Sequence, residues 1–179
     1  FKECTLALLD KKFGLREVSE HEALKDWLAK PAEISDFERR HLLTLRRKLR
    51  LNVHDWNETE LGYNFIGPLM VIVDFTAETF NFFAEREFKG TVDGIEMGGR
   101  PDGMVASGFR EPETPYFCFQ EYKKERDPAG DPAGQALAAM LVAQELNEGR
   151  HPVYGAYVRG SLWCFMILQG RTYCISDPY

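Results

Sequence analysis

The sequence predicts a mixed α/β domain in which a β-sheet is flanked by helices and preceded by a helical extension. Three observations carry this. Tyr116-Phe117-Cys118-Phe119-Gln120 is an apolar run that continues into Glu121-Tyr122-Lys123, the pattern of a central strand covered on both sides. Residues 134–147 are apolar nearly all round, from Ala136 to Ala143, as in a helix buried against a sheet. Short apolar runs separated by Gly, Pro and Asp fill most of the remainder of residues 80–175. Residues 1–54 are expected to form the helical extension and residues 55–179 the core, within one domain. A chain of 179 residues is long enough for one sizeable core.

Each element has its own signal. An amphipathic helix is expected around His21–Ala29. Residues 35–51 form a clearer one: Ser35 and Glu38 make a capping box, and Leu42, Leu45 and Leu49 recur at helical spacing. A third helix is predicted from Asp55 to Ile66, ended by Gly67-Pro68. Strands follow over Phe80–Phe88, Thr91–Glu96 as the continuation of a meander, Pro101–Ser107 and Tyr116–Lys123. Asp127–Pro132 is a breaker-rich loop. The buried helix Gly134–Asn147 has Asp131 and Pro132 at its start and Gly149 beyond its end. Val153–Val158, Leu162–Leu168 and Arg171–Ile175 read as the remaining strands, the last two joined at Gly170.

Composition narrows the function classes. The mixture, 44% hydrophobic and 28% charged, is that of an ordinary globular domain, and no apolar run approaches a membrane span. No membrane partner is expected, and the expected location is cytoplasmic. The four cysteines (Cys4, Cys118, Cys164, Cys174) are expected as free thiols in a reducing compartment. Neither they nor the four scattered histidines have zinc-site spacing. The chain begins with Phe1 and ends with Asp177-Pro178-Tyr179, so further residues are expected beyond both ends. No phosphate-binding Gly-Lys-Ser/Thr loop, dinucleotide fingerprint or Gly-x-Ser-x-Gly elbow is present.

The net charge of −6 argues against a uniformly basic surface, so nucleic-acid binding needs a local patch. The one basic concentration is on the helix at residues 35–51. Arg39, Arg46 and Arg50 flank its apolar stripe and are candidate phosphate contacts; a solvated face balanced by neighbouring acids is the plainer alternative.

The chemistry-bearing residues gather at the ends of two consecutive strands. Asp102 follows Pro101, and eighteen residues separate it from Glu121, two positions before Lys123. Strand alternation puts Phe117, Phe119, Glu121 and Lys123 on one face and Tyr116, Cys118, Gln120 and Tyr122 on the other. Two carboxylates can hold a hard divalent cation, and a lysine beside them can stabilise phosphate charge or orient a water. The plainer readings are a turn at Pro-Asp-Gly and a solvated strand end at Glu121-Tyr122-Lys123.

Pro101-Asp102 with Glu121-Tyr122-Lys123 resembles the PD-(D/E)XK nuclease superfamily, over about residues 55–175. The resemblance implies a restriction-endonuclease-like fold and a metal-dependent nuclease that hydrolyses phosphodiester bonds of nucleic acid, with DNA the expected substrate. It implies Mg²⁺ (or Mn²⁺) bound by Asp102 and Glu121, and Lys123 acting on the water or the phosphate. An acid on the helix before the first core strand often joins such sites, and Glu60 is the position carried over, by order in the chain. Gln135 matches a glutamine that some exonuclease branches place near the lysine. Those branches have a tyrosine four residues later, where this chain has Ala139. Nucleases of this type often pair to cut two strands, which makes a homodimer an expected assembly, although no sequence feature marks its surface. The alternatives are a nuclease-like module that binds nucleic acid or protein without hydrolysis, and an unrelated sheet protein in which Pro-Asp-Gly is a turn.

Overall fold

In the computed structural model, which describes residues 1–126 and 128–179, the chain starts with α1 (Leu6–Phe13), β1 (Arg16–Glu17), α2 (Glu22–Leu28) and α3 (Asp36–Asn52). Asp127, the first residue of the expected breaker-rich loop, lies outside the described residues. The capping box that opens α3 is present, with the Ser35 side chain and Glu38 each bonding the other's backbone. The sequence reading did not anticipate α1. Its start is fixed by the Thr5 hydroxyl, which accepts from the Leu8 amide at 3.2 Å, and its end by Gly14 in the left-handed conformation at φ 62°.

The third predicted helix is longer than its sequence signal. It runs as α4 (Glu58–Leu61), a π-helical stretch (Gly62–Ile66) and α5 (Gly67–Val73), passing through Gly67-Pro68 rather than ending there. The π stretch explains this. The Gly67 amide bonds to the Gly62 carbonyl, so the ladder shifts by one residue. Pro68 then sits in the first turn of α5, where its missing N–H costs nothing. Asp74 ends α5 in the left-handed region at φ 51°.

The strands are β2 (Phe80–Ala84), β3 (Phe88–Val92), β4 (Ile95–Gly99), β5 (Gly103–Ser107), β6 (Glu113–Lys123), β7 (Val153–Arg159), β8 (Leu162–Gln169) and β9 (Thr172–Ile175). The buried helix, α6 (Pro132–Leu146), lies between β6 and β7. A seven-stranded mixed sheet has the order β1-β9-β8-β7-β6-β5-β2, with β6 in its interior, antiparallel to β5 and parallel to β7. The expected mixed sheet with helices on its faces is therefore present.

The predicted strand Phe80–Phe88 is instead two: β2 stops at Ala84, and Phe88 opens β3. The expected meander is likewise replaced by a separate hairpin, β3–β4, turning at Asp93 and Gly94. Both turn residues have positive φ, 50° and 77°, as the tight hairpin turn requires. The hairpin packs on α6 instead of joining the main sheet. A Cβ at Gly90 would fall 2.7 Å from Val142 Cγ1, so glycine there permits the close approach.

Helix α6 is buried on every side because the sheet, α1 and the β3–β4 hairpin surround it. Leu137 and Leu141 are fully buried, and each contributes roughly 1.5–3 kcal/mol. Residues 1–54 do more than extend this core. Leu9 and Phe13 of α1 are part of it, and β1 pairs in parallel with β9. On the opposite sheet face, α2 covers Ile167 and Cys174, and α3 packs with α4–α5.

A β-bulge corrects the expected alternation along β6. Val105 pairs with Cys118 but Ala106 with Tyr116, leaving Phe117 as the extra residue. Tyr116 therefore joins Phe119 on the α6 side, and Phe117 turns to the other face. Beyond the bulge the predicted parity applies.

Candidate active site

Asp102 occupies the turn into β5, and Glu121 and Lys123 sit at the C-terminal end of β6. Gly103 pairs with Gln120, so the antiparallel register sets Asp102 beside Glu121. The Tyr122 amide donates to Asp102 Oδ2 at 2.6 Å and fastens the turn to β6. Two residues apart on one face, Lys123 Nζ donates to Glu121 Oε1 at 3.0 Å. Their side chains are 11% and 12% exposed, so this is a buried ion pair.

The local field is unbalanced toward negative charge. Burial raises the Asp102 carboxyl above its ordinary range, with Glu58 and Glu85 acting in the same direction; the Tyr122 amide and Lys123 oppose this. Burial, and then the charge of Asp102, push Glu121 up to about 7 although Lys123 pulls the other way. Burial alone would lower Lys123, but Glu121, Glu58 and Asp102 together hold it above its ordinary value and keep it charged.

Glu58 is the residue that sequence reasoning missed. It borders a cleft of about 730 Å³ with Glu121, Lys123, Gln135 and Arg100, and also a cleft of about 410 Å³ with Asp102, Tyr122 and Glu85. Glu60, the helix acid expected at the site, is held elsewhere. Its Oε2 accepts from the Asn57 amide at 2.9 Å, closing a capping box at the start of α4. The available signal was this Asn57–Glu60 spacing, which assigns Glu60 to the cap and leaves Glu58 free to face the strands.

Gln135 lies in the first turn of α6, 5% exposed, and lines the larger cleft beside Lys123. Its Nε2 donates to the Lys2 carbonyl at 2.9 Å, and its buried Oε1 has no partner among the described residues. Arg39, Arg46 and Arg50 are exposed on α3 and border neither cleft; Arg46 and Arg50 flank a separate surface hollow with Arg47 and Leu43.

The structure thus sets Asp102 beside Glu121 and Lys123, lines one cleft with Glu121, Lys123 and Gln135 and the other with Asp102, places Glu58 on both, and leaves Glu60 and the three arginines outside them. Asp102 Oδ1 and Glu121 Oε2 accept no protein hydrogen bond among the described residues. Among the described residues, no group of three or more His, Cys, Asp or Glu side chains is gathered closely enough to hold a metal ion. Also among them, no helix is long and apolar enough to cross a membrane. The cysteines are free, with Cys164 and Cys174 buried. No protein-family model matches the chain, and no curated protein matches its sequence.

Proposed function

We propose that the protein is a metal-dependent nuclease with a restriction-endonuclease-like core, hydrolysing phosphodiester bonds of nucleic acid, with DNA as its substrate. The observation that carries this reading is the meeting of Asp102, Glu121 and Lys123 at the ends of two adjacent interior strands, between a cleft lined by Glu121 and Lys123 and one lined by Asp102. Two buried acids whose protons are held above the ordinary range are suited to a site awaiting positive charge.

The donor set fits a hard divalent ion, because it offers only oxygen atoms and leaves one oxygen of each acid uncommitted. Asp102 and Glu121 would hold Mg²⁺ or Mn²⁺, with Glu58 of α4 as the nearest further carboxylate. When bound, the ion supplies Lewis-acid polarisation of the phosphate and acidifies a water. Glu121 orients the Lys123 ammonium, which neutralises charge that develops on the phosphate oxygens. Gln135 offers its Oε1, which has no partner among the described residues, as an acceptor for a substrate hydroxyl, amine or water. Arg39, Arg46 and Arg50 would contact phosphates away from the reacting bond.

The second reading is a nuclease-like binding module without hydrolysis. Its specific support is that Lys123 already partly neutralises Glu121 and that no three-ligand cluster is assembled. Calorimetric titration with Mn²⁺ separates the two. Binding by the parent that is lost in Asp102→Asn and Glu121→Gln, together with Mn²⁺-dependent cleavage of DNA, is the expected result. No binding by the parent, with or without DNA, assigns the protein to the binding module.

A further inference from the structure

On the sheet face away from α6, the helices α3 and α5 meet the strands at one end only. There Leu45, Leu49, Leu61, Phe65 and Ile66 close against Val158. Beyond that contact the two layers separate and leave between them an open-sided cavity of about 850 Å³. Leu42 and Leu49 of α3 and Leu69 and Val73 of α5 form its roof, and Val105 and Ala156 of the sheet form its base. Trp163, Phe165 and Trp27 run along one wall, with Trp163–Phe165 centroids 6.4 Å apart and Phe165–Trp27 centroids 5.4 Å apart.

Water gains little from such walls, which offer few partners, so an apolar occupant that displaces it is favoured. The volume falls within the range of small-molecule sites, roughly 300–1,000 Å³. One charged side chain borders the cavity: Arg46, exposed on α3, where it also lines the neighbouring surface hollow. Among the described residues, no acidic group lies within ion-pair distance of its guanidinium. An apolar interior with a single unneutralised cation at its rim is complementary to an amphiphile with an anionic head.

We propose that this cavity binds a long-chain carboxylate, its hydrocarbon body between α3, α5 and the sheet and its carboxylate on Arg46. The site is separate from the Asp102–Glu121 cluster, and shares with the function proposed above only Arg46, one of its three phosphate contacts. Binding can be read from tryptophan fluorescence, because Trp27 and Trp163 line the cavity. The full chain is titrated with oleate below its micelle-forming concentration, and separately with methyl oleate, which keeps the body and loses the charge. Oleate is expected to saturate at one per chain and to bind about tenfold more tightly than the ester, the effect of one charge-assisted contact. Arg46→Glu, a surface change, is expected to abolish that preference while leaving ester binding unchanged. Ala156→Phe, which fills the base, is expected to weaken both ligands, with circular dichroism reporting that it folds. Lack of saturable oleate binding by the folded parent overturns the proposal, as does equal affinity for acid and ester. A ligand-free dimer in sedimentation that oleate does not dissociate also overturns it, and assigns the cavity to a second copy of the chain.

Discussion

Removing the charge at Glu121 should make the protein less sensitive to a rise in pH toward neutrality, and the size of the effect follows from the buried pair. Burial and the Asp102 charge raise the Glu121 carboxyl from 4.5 to about 7. Between those values the folded protein holds a proton that the unfolded chain has released. Stability therefore falls as pH rises through this window and levels off above about 7. A shift of this size corresponds to about 3 kcal/mol at 1.36 kcal/mol per pH unit. Urea unfolding of the parent and of Glu121→Gln, from pH 5 to pH 8 with chelator present, measures it. Any constant offset from altered packing cancels, because only the change with pH is compared. The variant is expected to gain about 2.5 kcal/mol on the parent between the two ends, since part of the shift lies below pH 5. Parallel profiles would show that Glu121 titrates normally and that the negative field described here does not exist.

Further expectations concern the same pair and the packing around it. Lys123→Ala should remove any Mn²⁺-dependent cleavage. By leaving Glu121 buried without its cation, it should also cost at least roughly 1 kcal/mol more stability at pH 8 than at pH 5 in the same assay. Gly134→Ala should destabilise by roughly 1–3 kcal/mol. Its Cβ would fall 2.6 Å from Thr5 Cα and 2.7 Å from the Cys4 carbonyl, forcing α1 away from α6, and thermal unfolding reports the loss. Leu141→Ala empties a fully buried position and should cost about 2–5 kcal/mol in urea. Charge reversal at Arg46 and Arg50 should weaken DNA binding and flatten its salt dependence; an unchanged salt slope would return α3 to a solvated face.

Much of the fold was legible where local chemistry and tertiary packing agree. α6 has no polar side to misread, and Ser35 with Glu38 marks the start of α3 within a residue. The departures arise where a remote partner decides. Gly67-Pro68 reads as a helix end unless the π stretch is known, and nothing local at residues 62–66 announces it. β3 and β4 look like further sheet strands, but Gly90 fits them against Val142, a contact invisible in sequence. The extra residue at Phe117 exists because β5 pairs around it, so alternation counted along β6 alone cannot find it. At the site, Glu121 and Lys123 were legible because residues two apart on a strand share a face, and Asp102 because it opens the strand that precedes theirs in the chain. Glu58 was not, because order along the chain cannot say which of two acids on a helix start is consumed by its cap. The Asn57–Glu60 spacing could have said so.

The pairing of β1 with β9 also fixes an order of events. Arg16 and Glu17 pair in parallel with Thr172 and Tyr173, and the Arg16 amide donates to the Arg171 carbonyl, so β1 must wait for residues 171–173 to emerge during synthesis. Other ties on this arm have earlier partners: the Phe1 amino group donates to the Gly98 carbonyl, the Leu6 amide to Asp131, and Gln135 to the Lys2 carbonyl, while Arg171 reaches the Phe13 carbonyl only as β9 arrives. Lys2 and Glu3 of the same arm form part of the wall of the cleft beside Glu121. While α3 to β6 can assemble earlier, that wall is held in place only once Asp131 and Gln135 at the start of α6 have emerged. The candidate site therefore stays open while the strands that carry its acids form, and closes as α6 docks.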